Sequence, residues 1–220
     1  MRRTLESKRK VLVAGVMTIR NEVDVVRANV LHHYSQGIRH MLVVDDGSTD
    51  GTAEELEELQ REGLVRCFHH TGGYAQAAWT NHLTQVARQD GADWVVPLDA
   101  DEFWVAPGSR IDAVLAVAPE DALHVRSMNV VQRRSQVTPD VRGLTSMVYR
   151  PQAQFTASHQ VDDLMANEQL SLVEVRWVPK WIYRPSPLRS VDTGSHFLSG
   201  PVGARRSTPD IIFMHAVLRS

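Results

Sequence analysis

Val43-Val44-Asp45-Asp46-Gly47-Ser48-Thr49-Asp50-Gly51-Thr52, read together with Pro97-Leu98-Asp99-Ala100-Asp101-Glu102-Phe103 further along, decides the fold of this chain. Each segment is an apolar strand that runs into a knot of carboxylates, which is where an open parallel sheet presents chemistry to a ligand. A strand has a period of two, so Asp99 and Asp101 leave it on one side and Ala100 on the other. Fifteen aspartates in 220 residues give roughly one Asp-x-Asp by chance, and one is present. The spacing alone therefore carries nothing. Its weight comes from its place after an apolar strand and from its partnership with the earlier motif, and the pair predicts a sheet edge that holds a nucleotide and a divalent cation.

Outward from these motifs, strand and helix alternate. The continuous apolar run Val11 to Met17 reads as a strand covered on both faces. A helix over Glu22 to Gln36 carries Val26, Val30 and Tyr34 at helical spacing, and Gly37 is placed to end it in the left-handed conformation. His40 to Val44 is the second strand. Thr52 and Glu55 have the spacing of a capping box opening a second helix, which ends near Gly63. Leu64 to Phe68, a helix over Tyr74 to Arg88 and the strand Trp94 to Leu98 complete the alternation, which predicts a doubly wound α/β layout with a mostly parallel sheet. Beyond it, a helix at Ile111 to Val117 is followed by β-leaning stretches at Ala122 to Val131, Thr145 to Arg150 and Leu172 to Tyr183. This half is expected to extend the sheet as mixed strand and loop and to build the acceptor side of a cleft. The expected division is a basic tail over residues 1–10 and one domain over 11–220, its nucleotide-binding half ending near residue 105.

Composition bounds the partners. With 43% hydrophobic and 23% charged residues and a net charge of -2, the chain has no electrostatic reason to bind nucleic acid. Cys67 is its only cysteine, so no disulfide closes within the chain and no cysteine-based zinc site can form. The basic start followed by Val11 to Met17 imitates a signal peptide, but the apolar run is minimal and no small-residue cleavage site follows. A cytoplasmic location is expected, and with no run approaching about 20 apolar residues, any membrane contact would be peripheral.

Three strand ends converge on one crevice. Asp45 is a candidate to accept a hydrogen bond from the imide of uracil or from a ribose hydroxyl, with Gly47 allowing close backbone approach. Asp50 and Thr52 read as turn and cap residues that satisfy backbone donors. Thr18, Arg20 and Asn21 leave strand one at the same edge and are candidate nucleotide contacts; an ion pair for Arg20 and a helix cap for Asn21 remain open.

The segment Met17-Thr18-Ile19-Arg20-Asn21-Glu22-Val23, the Val44 to Thr52 motif and Leu98-Asp99-Ala100-Asp101-Glu102-Phe103 together resemble the family-2 glycosyltransferases of GT-A fold, in the branch with an Asn-Glu first motif and an Asp-x-Asp-Glu-Phe metal motif. Pro179-Lys180-Trp181-Ile182-Tyr183-Arg184-Pro185, Gly194-Ser195-His196 and His215-Ala216-Val217-Leu218-Arg219-Ser220 are similar to a downstream set of that branch. The resemblance implies transfer of a sugar from a nucleoside diphosphate, UDP favoured, to an unknown saccharide, lipid or protein acceptor, with inversion. It implies Mn²⁺ or Mg²⁺ held by Asp101 and His196, Asp99 at the ribose or in the metal shell, Asp45 at the base, and Lys180, Arg184 and Arg219 at the diphosphate. Mixed Asp and His ligation suits Mn²⁺. The general base is not fixed by any motif, and Asp163 is taken as the candidate among the downstream acids. Two other functions stay open: a nucleotidyltransferase, which would need a glycine-rich, lysine-bearing loop that Thr18 to Glu22 does not supply, and a non-catalytic nucleotide-sugar-binding domain.

Overall fold

The computed structural model describes residues 10–72, 75–131, 155–156, 163–164, 166–167, 171 and 174–216. Its elements in chain order are β1 (Val13–Ile19), α1 (Val26–Ser35), β2 (His40–Asp45), α2 (Thr52–Arg61), β3 (Val65–His69), α3 (Gln76–Gln89), β4 (Trp94–Leu98), β5 (Glu102–Val105), α4 (Ile111–Val117), β6 (Ala122–Asn129), β7 (Phe155–Thr156), β8 (Val175–Arg176), β9 (Lys180–Tyr183), β10 (Ser190–Val191), β11 (Leu198–Ser199) and β12 (Arg205–His215). The main sheet has eight strands in the order β3-β2-β1-β4-β9-β6-β12-β5. β3, β2, β1 and β4 run parallel, as do β6 and β12, whereas β9 and β5 pair antiparallel with their neighbours. The order turns back between β1 and β4, the switch point at which the two connecting chains diverge to opposite faces and leave a crevice at the strand ends.

Alternation along the strands sorts the core into two layers. Met17, Met41, Val43, Val96 and Leu98 pack with Val26 and Val30 of α1, Leu56 and Leu59 of α2, and Ile111 and Leu115 of α4. Ala14, Val16, Leu42, Val44 and Val95 pack with Leu83 and Ala87 of α3. The doubly wound reading therefore holds. Gly37 ends α1 at φ +88°, and a Cβ there would lie 2.1 Å from Cγ of Asp112, so both its backbone and its surroundings exclude a side chain.

Three local expectations are corrected. Thr52 and Glu55 form no capping box: Gly51 precedes α2 at φ +101°, Asp50 Oδ1 accepts from Thr52 N at 3.0 Å and from Thr52 Oγ1 at 2.6 Å, and Glu55 pairs instead with Arg27 on α1. The four-residue β5 begins inside the acidic motif, at Glu102, and was not expected as a strand. The long β12 was also unread, because Pro209 and Asp210 interrupt its sequence; the sheet accommodates them with a register shift between Thr208 and Phe213, where a missing N–H is tolerated. The strand expected over Thr145 to Arg150 lies outside the described residues. Among the described residues, no helix is long and apolar enough to cross a membrane.

Candidate active site at the sheet switch point

Leu98 of β4 sits opposite Met17 of β1, so the residues that follow, Asp99 and Thr18, emerge side by side at the switch point. Continuing the alternation of Val16, Val44 and Val95, the side chains of Thr18, Asp46 and Asp99 belong to the α3 face. Contacts with that helix agree: Gln76 Nε2, in the first turn of α3, donates to Asp99 Oδ1 at 3.0 Å, and the His70 ring that pairs with Asp46 packs edge-on to Trp79. These residues wall one crevice. Two of its polar atoms are buried without a hydrogen-bond partner, Thr18 Oγ1 and Asp46 Oδ2. A buried acceptor or hydroxyl left unpaired is costly.

Asp45 behaves differently from its neighbour. Its Oδ1 accepts from Ser48 N at 3.2 Å and Ser48 Oγ at 2.5 Å, and its Oδ2 lies 3.7 Å from His69 Nδ1. Asn21, at φ +56°, donates its N–H to Ser48 Oγ and accepts from Thr49 N at 2.8 Å through Oδ1. Asp50 and Thr52 also take the N–H groups of Val23 and Glu22. Asn21, Asp50 and Thr52 thus stitch the loop after β2 to the loop after β1, with Asp45 bracing Ser48 within its own loop, while Arg20 stands exposed to solvent.

On the other side of Asp99 lies an ionic cluster. Lys180 Nζ is 2.5 Å from Asp99 Oδ2 and 2.8 Å from Glu102 Oε1, and the lysine is 2% exposed. Burial would lower the Lys180 pKa, but the two carboxylates raise it above the ordinary value, so the ammonium stays charged. Glu102 is pushed up to about 7 by its burial, against the pull of Lys180 and with help from Asp99. Lys180 was expected at a diphosphate, and the structure instead commits its charge to these two carboxylates.

Asp101 meets a histidine other than the expected one. Its Oδ2 is 3.4 Å from His215 Nε2 at the end of β12, and its backbone carbonyl accepts from Ala216 N at 2.9 Å. The β12–β5 pairing of His215 with Glu102 sets this geometry. Burial would depress the His215 pKa, but its hydrogen bond to Asp101 and the charges of Asp101 and Glu102 carry it upward. Its Nδ1 is buried without a partner. His196 makes other contacts: Nδ1 approaches Pro179 O at 3.2 Å, the ring packs over Gly194, its backbone carbonyl accepts from Trp181 Nε1, and the ring is near enough to Lys180, Asp192 and Asp99 to feel their charges.

These donors fit a cation. Asp101 and His215 bring one carboxylate oxygen and one imidazole nitrogen to the same place, a donor set that Mn²⁺ accepts. Among the described residues no cluster of three or more His, Cys, Asp or Glu side chains surrounds a metal position. Arg184 is removed from the site. Tyr183 pairs with Val95 near the start of β4, which puts Arg184 over the Trp94 ring with its guanidinium on Ala118 O and Glu120 O, one strand length (roughly 16 Å) from Asp99. Asp163 is exposed, and among the described residues no hydrogen bond joins it to the cluster. Arg219 lies outside the described residues.

The sequence reading also missed Asn29 and His33 on α1. Both are 0% exposed, and Asn29 Nδ2 faces the backbone carbonyls of Asp99, Ala100 and Glu102. Their signal was visible as two polar residues at i and i+4 on the helical stripe that also carries Val26 and Val30.

Comparison with known proteins agrees with this architecture. In solved structures, S. aureus TarS 1-349 in complex with UDP-GlcNAc superposes with a TM-score of 0.55 at 14% identity, covering 96% of this chain and 60% of that one. Another S. aureus TarS structure gives 0.50 at 13% identity, covering 94% and 37%. The mannosyltransferase PcManGT from Pyrobaculum calidifontis, in complex with GDP-Man and Mn²⁺, gives 0.42 at 23% identity, covering 57% and 37%. The chain thus spans under two thirds of each of these proteins, and such identities speak to the fold alone. No curated protein matches the sequence. The model described as Glycosyl transferase family 2 matches residues 16–188, from β1 through the acidic motif and Lys180, and the chain belongs to that family.

Proposed function

We propose that this domain transfers a sugar from a nucleoside diphosphate donor to an acceptor hydroxyl with inversion, using Mn²⁺ or Mg²⁺ held by Asp101 and His215. The Asp101–His215 pair beside Asp99 at the switch point is the observation that carries this reading. Bound there, the cation would neutralise the charge that grows on the diphosphate as the glycosidic bond breaks. Asp99, anchored by Gln76 and Lys180, presents a half-open carboxylate suited to a ribose hydroxyl or to the cation's shell. Lys180 offsets part of the negative charge that Asp99 and Glu102 would otherwise turn on the diphosphate. Asp46 Oδ2 and Thr18 Oγ1 are proposed to meet the base, a role first given to Asp45, because Asp45 is already engaged by Ser48. A carboxylate acceptor matches the imide N–H of uracil, which favours a UDP-sugar. Exposed Arg20 is proposed to approach the diphosphate from the solvent side.

Thermal denaturation tests this. UDP should raise the melting temperature only when Mn²⁺ or Mg²⁺ is present, and Asp101→Asn should remove that dependence while leaving the unliganded transition in place. Equal shifts with and without the cation, or none with UDP or GDP, would overturn the reading. Asp163 stays the proposed acceptor of the hydroxyl proton. Asp163→Asn should keep the cation-dependent shift and slow turnover of the donor; undiminished turnover removes Asp163 from that role.

A further inference from the structure

The core face of α1 carries Asn29 and His33 where apolar residues would ordinarily pack, and a buried polar pair persists only when its hydrogen bonds are complete. Here they are, and each one ends on the acidic segment or on the other member of the pair. Asn29 Nδ2 lies 2.8 Å from Ala100 O, 2.8 Å from Glu102 O and 3.3 Å from Asp99 O. Asn29 Oδ1 lies 2.9 Å from His33 Nδ1. On the far side of the ring, the backbone N–H of Trp104 donates to His33 Nε2 at 3.2 Å. Nε2 is therefore the acceptor, Nδ1 carries the proton, and the imidazole is neutral. From one helical face, the pair grips the backbone on both sides of Asp101.

We propose that Asn29 and His33 are positioning residues that fix the Asp99 to Trp104 backbone, and through it the angle at which Asp101 faces the cation. The inference rests on the function proposed above. Neither side chain touches the reacting atoms. The pair acts through main-chain carbonyls that, in a turn buried beneath a helix, need a donor that no apolar side chain supplies. Outer contacts of this kind orient ligands and commonly alter metal affinity by about 10- to 100-fold when removed.

Two measurements on Asn29→Ala and His33→Gln decide it. In UDP-saturated protein, Asn29→Ala should weaken Mn²⁺ binding by about 10- to 100-fold in calorimetry, while UDP binding without the cation stays within about twofold of wild type. In hydrogen exchange without ligand, the Glu102 and Trp104 amides should exchange at least about tenfold faster, with β1 to β3 unchanged. His33→Gln should move both readouts in the same direction by a smaller factor, and it stands in if Asn29→Ala does not fold. Unchanged Mn²⁺ affinity in a folded variant overturns the positioning role, as does a parallel loss of cation-free UDP affinity. If wild type shows no cation-dependent binding, the functional reading fails, and the exchange measurement alone decides whether the pair holds the segment.

Discussion

Two histidines answer to different environments. His33 is wholly buried, and burial, with the nearby His32 adding to it, drops its pKa to about 3 against the opposing hydrogen bond that its Nδ1 donates to the Asn29 backbone carbonyl. The folded state therefore refuses a proton that the unfolded chain accepts near pH 6.5, so this contribution to stability is complete above that pH and is lost as pH falls through it toward about 3. The loss amounts to about 1.4 kcal/mol by pH 5.5. Urea midpoints measured between pH 7.5 and 5 should fall more steeply for wild type than for His33→Gln; parallel curves would show that His33 is protonated in the fold. His215 and His196 offer a second contrast. His215→Ala should abolish the Mn²⁺-dependent stabilisation by UDP, whereas His196→Ala should retain most of it, because His215 Nε2 lies against Asp101 while His196 Nδ1 approaches Pro179 O. The reverse result would restore the assignment made from the Gly194-Ser195-His196 motif. Asp99, Asp101 and the strand-end acids were legible because each follows a continuous apolar run. The partners of Asp45 and Asp46 were not, since adjacent carboxylates differ only in which sheet face they take and who bonds them.

Elements were readable where hydrophobic period and turn chemistry agreed. β4 and α4 fall where the pattern put them, and the other elements up to Leu98 lie within a few residues of it, because parallel strands covered on both faces read as unbroken apolar runs. β5 and β12 escaped, one hidden in the acidic motif and the other broken by Pro209. The turn after α1 gives a quantitative check on what a glycine does. Gly37→Ala must bear both a left-handed backbone and a Cβ against Asp112, which Arg110 holds through two hydrogen bonds; Gly63→Ala bears only the backbone, at φ +74° with nothing within 4 Å. Gly63→Ala should cost about 1 kcal/mol and Gly37→Ala about 2 to 4 kcal/mol in urea denaturation. Equal costs would mean that the Asp112 side chain simply moves aside.

At the scale of the molecule, the proposed site joins residues that are distant in sequence: Thr18 and Asp46 from the parallel half, Asp101 from the turn after β4, and His215 from the final described strand. Ligation across these parts should stabilise the whole fold. UDP and Mn²⁺ at a hundredfold excess over the dissociation constant should add about 2.7 kcal/mol, a rise of roughly 5–10 °C in melting temperature for a chain of this size. Chelation with EDTA should return the transition to its unliganded position. A rise confined to one of two separate transitions would mean that the two halves do not act as one unit.

The sequence by itself determined the parallel half, its switch-point crevice and the acidic ends of β2 and β4, because burial on both strand faces and turn chemistry are local and leave a periodic trace. Only the tertiary structure decided the partners. It set His215 on Asp101, closed Lys180 between Asp99 and Glu102, carried Arg184 to the far end of the sheet and brought Asn29 under the acidic turn. Those contacts depend on strand order and antiparallel register across β9, β12 and β5, and neither quantity is written in the spacing of residues along the chain.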